Sequence, residues 1–312
     1  MKIVVLDGDR VNPGDISWDG FRELGDLKVY DMVSFNLKDS DLIIEKIGDA
    51  EAILINKTPI DRKIIEAASN LKYIGVMATG YNTVDLDSAR ENGVVVTNIP
   101  TYGTDAVAQM TFALLLELTN HVSHHNSEVK KGRWKDEREW CFWDKPLMEL
   151  KGKTMGIIGF GRIGQKVGEI AKAFDMKVLS TTSRDDKLDE VLKNSDIISL
   201  NCPLTEKTRG IINKESIAKM KDGVLIINTA RGALIVEKDL KEALDSGKVG
   251  GAGVDTVSFE PIKDDNPLLS SKNIIITPHI SWAPIETRAR LMDIAVDNFR
   301  NFLDGKIVNQ VN

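Results

Sequence analysis

Three segments in the second half of the chain carry side chains of the types that move a proton and grip a carboxylate. In Ile276–Ala283, ITPHISWA, His279 follows a short β-branched run and a proline. An imidazole can give and take a proton near neutral pH, although a lone histidine is more often structural than catalytic. In Ile227–Leu234, INTARGAL, Arg231 stands just past an apolar run that reads as a buried strand. Open α/β sheets bind ligands at that end of their strands. A guanidinium there can clamp a carboxylate through two parallel hydrogen bonds, or simply make a surface ion pair. In Gly253–Pro261, GVDTVSFEP, Asp255 falls at a strand end and Glu260 in the loop that follows.

These side chains need an element that brings a reactant to them. The segment Lys153–Gly168, KTMGIIGFGRIGQKVG, supplies a candidate. A β-branched run (Ile157, Ile158) leads into Gly159, Gly161 and Gly164 in G-x-G-x-x-G order, and a helical pattern follows. The first glycine permits a tight strand-to-helix turn. The second lets a pyrophosphate approach the backbone, and the third lets the helix pack close to the sheet. Free N–H groups at the positive end of that helix then hold phosphates. A glycine-rich turn of an ordinary α/β domain would share the spacing. The strand before it and the helix after it favour a dinucleotide.

Strand-like runs occur at Lys2–Asp7, Leu27–Tyr30, Ala52–Ile55, Lys72–Met77 and Val94–Thr97, with helical patterns at Leu37–Lys46, Asp61–Ala68 and Thr83–Asn92. A second series starts at Thr154 and continues at Lys177–Ser180, Ile197–Leu200, Gly223–Asn228, Gly250–Val254 and Ile274–Ile276. Alternation of this kind predicts parallel sheets covered by helices. The expected fold is α/β, with two doubly wound parallel-sheet domains, the second a Rossmann-type dinucleotide-binding domain, and a cleft between them. The turn-rich Asn98–Gly103 marks the boundary. Thr104–Asn120 reads as a helix apolar nearly all round, hence buried between domains or subunits. A last helix, Pro284–Leu303, has no third sheet to cover and is expected to return to the first domain. The division is therefore 1–100 plus 284–312 for a substrate-binding, flavodoxin-like domain and 101–283 for the dinucleotide-binding domain. Within the latter, 121–150 mixes charges with Trp134, Trp140, Phe142 and Trp143, which suggests a docking surface and a subunit contact.

Composition narrows the classes. The 312 residues suffice for two ordinary domains, and 42% hydrophobic with 28% charged residues describes a globular chain. The net charge of −6, without a basic patch, gives no reason to expect nucleic acid. No apolar run approaches a membrane span. The start, KIVVLD, reads as a strand rather than a secretory signal. Cys141 and Cys202 make no disulfide framework. These features place the chain in the cytoplasm. His121, His124 and His125 sit at i, i+3 and i+4 without an acid or cysteine in the pattern, and read as polar residues of a last helical turn rather than metal ligands.

The segments quoted above, with NCPLTEKTRG (Asn201–Gly210), NTARG (Asn228–Gly232) and TPHIS (Thr277–Ser281), resemble the D-isomer-specific 2-hydroxyacid dehydrogenases over nearly the whole chain. MATGYNTVD (Met77–Asp85) and IPTYGTDAVAQ (Ile99–Gln109) bring it nearest to hydroxypyruvate reductases, also called glycerate dehydrogenases. The resemblance implies that Arg231 orients a 2-keto acid, that His279 protonates the keto oxygen as hydride arrives, and that Glu260 holds His279 and favours its charged form. It places Asp255 on the nicotinamide carboxamide. It puts Ala78, Thr79 and Gly80 in a backbone cradle for the substrate carboxylate, with Lys57, Thr58, Tyr81 and Tyr102 lining the rest. On the dinucleotide it implies Thr104, Gly159, Gly161, Arg162, Ile163, Gly164, Cys202, Pro203, Thr208, Thr229 and Ala230, besides His279. Trp282 stands where many relatives carry a small residue; it either narrows the pocket or packs on the nicotinamide side. A homodimer is expected from the same likeness and from the aromatic-rich Trp134–Trp143 segment, and no metal role follows from the sequence.

Rossmann folds specific for NAD place an acid at the end of the second strand. Here that position holds Thr182, followed by Ser183 and Arg184, which could accept a 2′-phosphate. Asp185 and Asp186 come next and would repel a phosphate if they faced it. NADP is thus favoured over NAD. The expected activity is reduction of hydroxypyruvate or glyoxylate to D-glycerate or glycolate. The alternatives are a D-lactate-type dehydrogenase and a dinucleotide-sensing, corepressor-like binding protein. An extra regulatory domain of the kind many phosphoglycerate enzymes carry is not expected, and the resemblance, which gives formate enzymes an amide where Glu260 stands, argues against formate.

Overall fold

The runs of Ile, Val and Leu form two separate, wholly parallel sheets in the computed structural model, which describes residues Met1–Asn312. The chain divides into unit 1, Met1–Gly103 with Ala283–Asn312, and unit 2, Thr104–Trp282.

Unit 1 begins β1 (Lys2–Val5), α1 (Asp19–Arg22), β2 (Asp26–Val29), α2 (Ser40–Ile47), β3 (Ala52–Ile55), α3 (Arg62–Ala67), β4 (Tyr73–Val76), α4 (Leu86–Glu91) and β5 (Val95–Thr97). The sheet order is β2-β1-β3-β4-β5, so the winding reverses between β1 and β3. β3 is AILI and buried at every position, as expected of a central parallel strand covered on both faces. Two of the expected helices start later than their apolar pattern. A 3-10 turn occupies Leu37–Asp39 ahead of α2, and α4 waits for Asp85, whose carboxylate accepts the Ser88 N–H at 2.9 Å. At α4 the capping side chain, more than periodicity, decides where the helix begins. The short α1 carries no periodic signal and went unexpected.

Unit 2 runs α5 (Thr104–Asn120), α6 (Val122–Lys130), β6 (Thr154–Ile158), α7 (Arg162–Ala173), β7 (Lys177–Thr181), α8 (Leu188–Asn194), β8 (Ile197–Leu200), α9 (Lys214–Lys219), β9 (Val224–Asn228), α10 (Glu237–Ser246), β10 (Val249–Val254) and β11 (Ile274–Ile276). Its order is β11-β10-β9-β8-β6-β7, with the reversal between β6 and β8. One face packs against α5 and α7 through Phe112, Leu115, Val167 and Ala171; the other packs against α8, α9 and α10 through Val191, Leu192, Ile217 and Leu240. The apolar α5 is therefore core to unit 2 itself. Gly253 of β10 admits it: a Cβ there would lie 2.9 Å from the Leu114 Cβ.

The chain then returns to unit 1 as α11 (Ile285–Leu303). Phe299 of α11 is fully buried, with its ring 5.1 Å from Tyr73 and 6.1 Å from Phe21. Aromatic pairs of this kind add about 1 kcal/mol each beyond the area they bury. α1 thus exists because α11 covers it, which no local pattern records. No helix is long and apolar enough to cross a membrane.

Candidate functional site

The glycine turn closes β6 onto α7. Gly159 has φ +98°, and a Cβ there would fall 2.5 Å from the Cys202 nitrogen, so only glycine fits between the β6 and β8 ends. A Cβ on Gly164 would lie 2.2 Å from the Gly159 carbonyl oxygen. Gly161 is different: a Cβ there meets no protein atom within 4 Å. No side chain caps the first turn of α7. Uncapped helix amides beside an open glycine fit a bound pyrophosphate, both by charge and by space. Ile163 lies half-buried in that first turn and Arg162 is exposed at its start. Across the β8 end, Cys202 is buried, and burial pushes its thiol up. Thr208 folds the next loop by donating its hydroxyl to the Pro203 carbonyl at 2.7 Å. Thr104 opens α5, half-buried.

After β7 the chain turns through Thr182, Ser183 and Arg184. Asp185 is exposed, but its side chain is tied into that turn. Its carboxylate accepts the Thr181 hydroxyl at 2.7 Å, the Thr182 hydroxyl at 2.8 Å, the Thr182 N–H at 3.0 Å and the Lys187 N–H at 3.2 Å. A carboxylate offers about four lone-pair sites, and these donors use them. The hydrogen bonds from Thr181 and Thr182 hold Asp185 below the usual carboxylate range. Ser183 and Arg184 remain exposed on the loop.

At the end of β9, Asn228 shapes the turn that carries Arg231. Its side chain accepts the Ala230 N–H at 3.0 Å and donates to the Arg231 carbonyl at 2.9 Å. Thr229 is buried beneath, 3.0 Å from Thr111 hydroxyl to hydroxyl. The exposed Arg231 guanidinium donates to the Ala230 carbonyl at 2.7 Å. A Cβ on Gly232 would fall 1.9 Å from the Val257 carbonyl carbon, so the Arg231 turn and the loop bearing Glu260 lie backbone against backbone.

His279 and Glu260 meet directly: Nδ1 lies 2.7 Å from Oε2, with the two side chains 30% and 37% exposed. His279 sits in the left-handed region, φ 56°, unusual for a residue with a Cβ. Asp255 holds it there. The Asp255 carbonyl accepts the His279 N–H at 2.8 Å. Its carboxylate, 1% exposed, takes the Thr277 hydroxyl at 2.5 Å, the Ile280 N–H at 2.9 Å, the Ser281 N–H at 2.8 Å and the Ser281 hydroxyl. Four donors thus meet the Asp255 carboxylate, and through them Asp255 organises the loop that carries His279. Trp282 donates its indole N–H to the His279 carbonyl at 2.9 Å, a third tie on that loop.

In unit 1, the segment after β4 has its carbonyls tied back. Met77 accepts from Asn56 Nδ2 at 2.7 Å, Ala78 from the Ile99 N–H at 3.0 Å, and Thr79 from Asn98 Nδ2 at 2.8 Å. The Thr79 hydroxyl donates to the Ile99 carbonyl. The N–H groups of Ala78, Thr79 and Gly80 make no hydrogen bond inside the protein. Three adjacent free amides suit a carboxylate. Lys57 is exposed on the loop after β3, with Thr58 buried beside it and Tyr81 exposed beyond the cradle. The Tyr102 carbonyl accepts from Arg290 at 3.2 Å, which fixes the residue's backbone.

The residues that the sequence did not single out are Asp7, Asn56 and Asn228. Each acts by binding loop backbone far from it in sequence or across a turn. The positions of Asp7 and Asn228 at strand ends are the signal that could have drawn notice. The 121–150 segment is more ordered than its composition suggests. His121, φ 50°, separates α5 from α6 instead of ending one helix. Asp144 receives Arg133 Nη1 at 2.6 Å and faces His124 Nε2 at 2.6 Å; Arg133, then His124, hold its carboxyl down to about 2. Trp134, Trp140 and Trp143 stay 53%, 83% and 63% exposed.

A family model described as "D-isomer specific 2-hydroxyacid dehydrogenase, NAD binding domain" matches residues 112–281. The chain is 57% identical over its full length, and that of the relative, to a hydroxypyruvate reductase of Blautia hydrogenotrophica. It is 38% identical to a glycerate dehydrogenase of Methylorubrum extorquens, over 86% of this chain and 88% of that one. Among solved structures, an acyclic imino acid reductase in complex with NADPH and D-Arg superposes with TM-score 0.85 at 31% identity, covering both chains fully.

Proposed function

Because the chain belongs to the D-isomer-specific 2-hydroxyacid dehydrogenases, we propose that it reduces hydroxypyruvate, and glyoxylate beside it, to D-glycerate and glycolate. The observation that carries the proposal is the 2.7 Å contact between His279 Nδ1 and Glu260 Oε2. A carboxylate on Nδ1 sets the ring's orientation and leaves Nε2 to give a proton to a keto oxygen. When bound, the nicotinamide dinucleotide supplies the hydride that reduces C2 of the keto acid. Arg231 clamps the carboxylate and keto oxygen and, with His279, stabilises the negative charge that grows on that oxygen. The free amides of Ala78, Thr79 and Gly80 take the substrate carboxylate, and Lys57 and Tyr102 line the same side. Asp255 and Trp282 keep His279 in its left-handed conformation. The Gly159–Gly164 turn and the start of α7 take the pyrophosphate, with Thr104, Arg162, Ile163, Cys202, Pro203, Thr208, Thr229 and Ala230 around the rest of the dinucleotide.

The experiment is an absorbance assay at the nicotinamide band with hydroxypyruvate, glyoxylate, pyruvate and 3-phosphohydroxypyruvate. Hydroxypyruvate should show the highest kcat/KM, and His279→Ala should lower its kcat by about three orders of magnitude while dinucleotide affinity holds. Near-normal turnover in that variant would remove His279 from the reaction. Tight dinucleotide binding without turnover of any keto acid would return the sensor reading.

We infer a preference for NADP over NAD from the β7 loop. Asp185 has no acceptor site left for a ribose 2′-hydroxyl, while Ser183 and Arg184 stay exposed to meet a 2′-phosphate. The kcat/KM ratio for NADPH over NADH should exceed one and fall in Arg184→Ala. A strong NADH preference overturns this. We also infer a homodimer that buries the exposed tryptophans of 134–143; sedimentation of a Trp140→Glu variant as a monomer is the expected result.

A further inference from the structure

Glu237 opens α10, where a first-turn acid would ordinarily be read as complementing the helix dipole. Its carboxylate does something more specific. Oε1 accepts the Ser258 N–H at 2.7 Å, and Oε2 accepts the Ser258 hydroxyl at 2.7 Å and Asn266 Nδ2 at 3.1 Å. Ser258 and Asn266 flank Glu260 on either side in sequence. Of the intervening residues Ile262 packs on the core, while Phe259–Pro261 and Lys263–Asp265 are exposed. One half-buried carboxylate therefore ties both ends of an exposed loop whose task is to deliver Glu260 to His279. Val257, the residue before Ser258, offers Glu260 its N–H at a long 3.3 Å and abuts the Gly232 backbone. The Ser258 anchor thus sits between the Arg231 turn and the histidine partner.

We propose that Glu237 is a positioning residue for the reaction: it touches no reactant and acts through Glu260, by fixing the Ser258–Asn266 loop so that the Glu260 carboxylate stays on His279 Nδ1. The inference rests on the acid–base reading of His279 and Glu260 given above. Supports of this kind are typically worth one to two orders of magnitude, since a ring left free to turn spends most of its time misdirected. An amide at 237 keeps one oxygen acceptor for Ser258, so Glu237→Gln should retain most of the activity that Glu237→Ala loses.

A double-mutant cycle tests it on the full-length enzyme. Glu237→Ala should lower kcat about tenfold, with the dinucleotide dissociation constant unchanged and Glu237→Gln recovering all but about threefold. In a Glu260→Gln background the same Glu237→Ala change should cost less than about twofold, because the group it positions is already gone. An equal tenfold loss in both backgrounds would overturn the inference and leave Glu237 a purely structural tie. Wild-type kcat in Glu260→Gln alone would instead remove Glu260 from the reaction, and this inference with it. Should Glu237→Ala fail to fold, Ser258→Ala deletes one tie from the loop side; it should cost about threefold in kcat alone and nothing further in the Glu260→Gln background, and a loss undiminished there would be equally decisive against positioning.

Discussion

At the β1–β3 boundary of unit 1 the loop amides point at a carboxylate of the same unit; at the β6–β8 boundary of unit 2 they do not. Asp7, after β1, accepts the N–H groups of Asn56, Lys57 and Thr58, residues at the end of β3. It is 4% exposed. Burial pushes its carboxyl up, against the pull of those three donors. In unit 2 the Gly159 and Cys202 backbones pack closely, no side chain caps α7, and a Cβ on Gly161 would meet no protein atom, so no internal carboxylate takes that place. Both sheets reverse their winding at this point, where open α/β folds present a ligand crevice. One unit has filled that crevice with an internal anion and the other has kept it for an external one. In unit 1 the free donors instead lie one strand over, at Ala78–Gly80 after β4. The same topology thus presents its anion site in a different place according to where a single aspartate sits.

The sharpest way to break this comparison is to remove the internal anion. Asp7→Ala leaves three loop N–H groups without an acceptor, and a loss of about 3 kcal/mol in unfolding free energy is expected. Denaturant unfolding measures it; a stability within experimental error of wild type would mean that water replaces Asp7 and that the crevice is not truly closed. The converse change fills the open crevice. Gly161→Ala adds a Cβ that meets no protein atom, so stability should stay within about 0.5 kcal/mol while dinucleotide affinity falls at least about tenfold, or ~1.4 kcal/mol. Gly164→Ala should by contrast cost about 2 kcal/mol of stability as well, because its Cβ overlaps the Gly159 carbonyl. Equal thermal midpoints for the two glycine variants would contradict the distinction between space reserved for a ligand and space used by the fold.

Arg231→Lys should raise the KM for hydroxypyruvate about tenfold, with the KM for dinucleotide unchanged, since an ammonium cannot supply the planar fork. Unchanged keto acid saturation would remove the clamp. The smallest effect expected is in pH dependence. Asp7 and Asp185 both hold loops, but they shift in opposite directions. Thr181 and Thr182 lower Asp185, so its contribution to stability is full above about pH 4, the unfolded value, and is lost as pH falls through the lowered folded value. Burial raises Asp7, so the preference of the fold for its protonated form is full below about pH 4 and is lost as pH rises through the raised value. Thermal midpoints of wild type minus Asp185→Asn should therefore shrink on acidification, and those of wild type minus Asp7→Asn should shrink as pH rises. Slopes of the same sign would show that the two carboxylates are alike after all.

Residue order alone was enough for the two parallel sheets, the glycine turn, and the placing of Arg231 and His279 at strand ends with Glu260 in a loop. These are local facts: β-branched runs record burial on both faces, and glycine spacing records a turn that no Cβ would permit. Helix starts were legible only to within a few residues: a 3-10 turn precedes α2, and the Asp85 cap sets the start of α4. α1 was invisible because its apolar residue Phe21 finds its partner on the last helix. Tertiary structure alone decided which carboxylates face ligands and which serve the fold. Asp7, Asp185, Asp255 and Glu260 are indistinguishable as residue types in the segments that follow strands. What separates them is the set of donors that register and loop path bring within reach: the amides of 56–58 for Asp7, the hydroxyls of 181–182 for Asp185, the 277–281 loop for Asp255, and an imidazole for Glu260. A carboxylate whose lone pairs are filled from within has nothing left to offer a reactant, and that count cannot be made until the chain has folded.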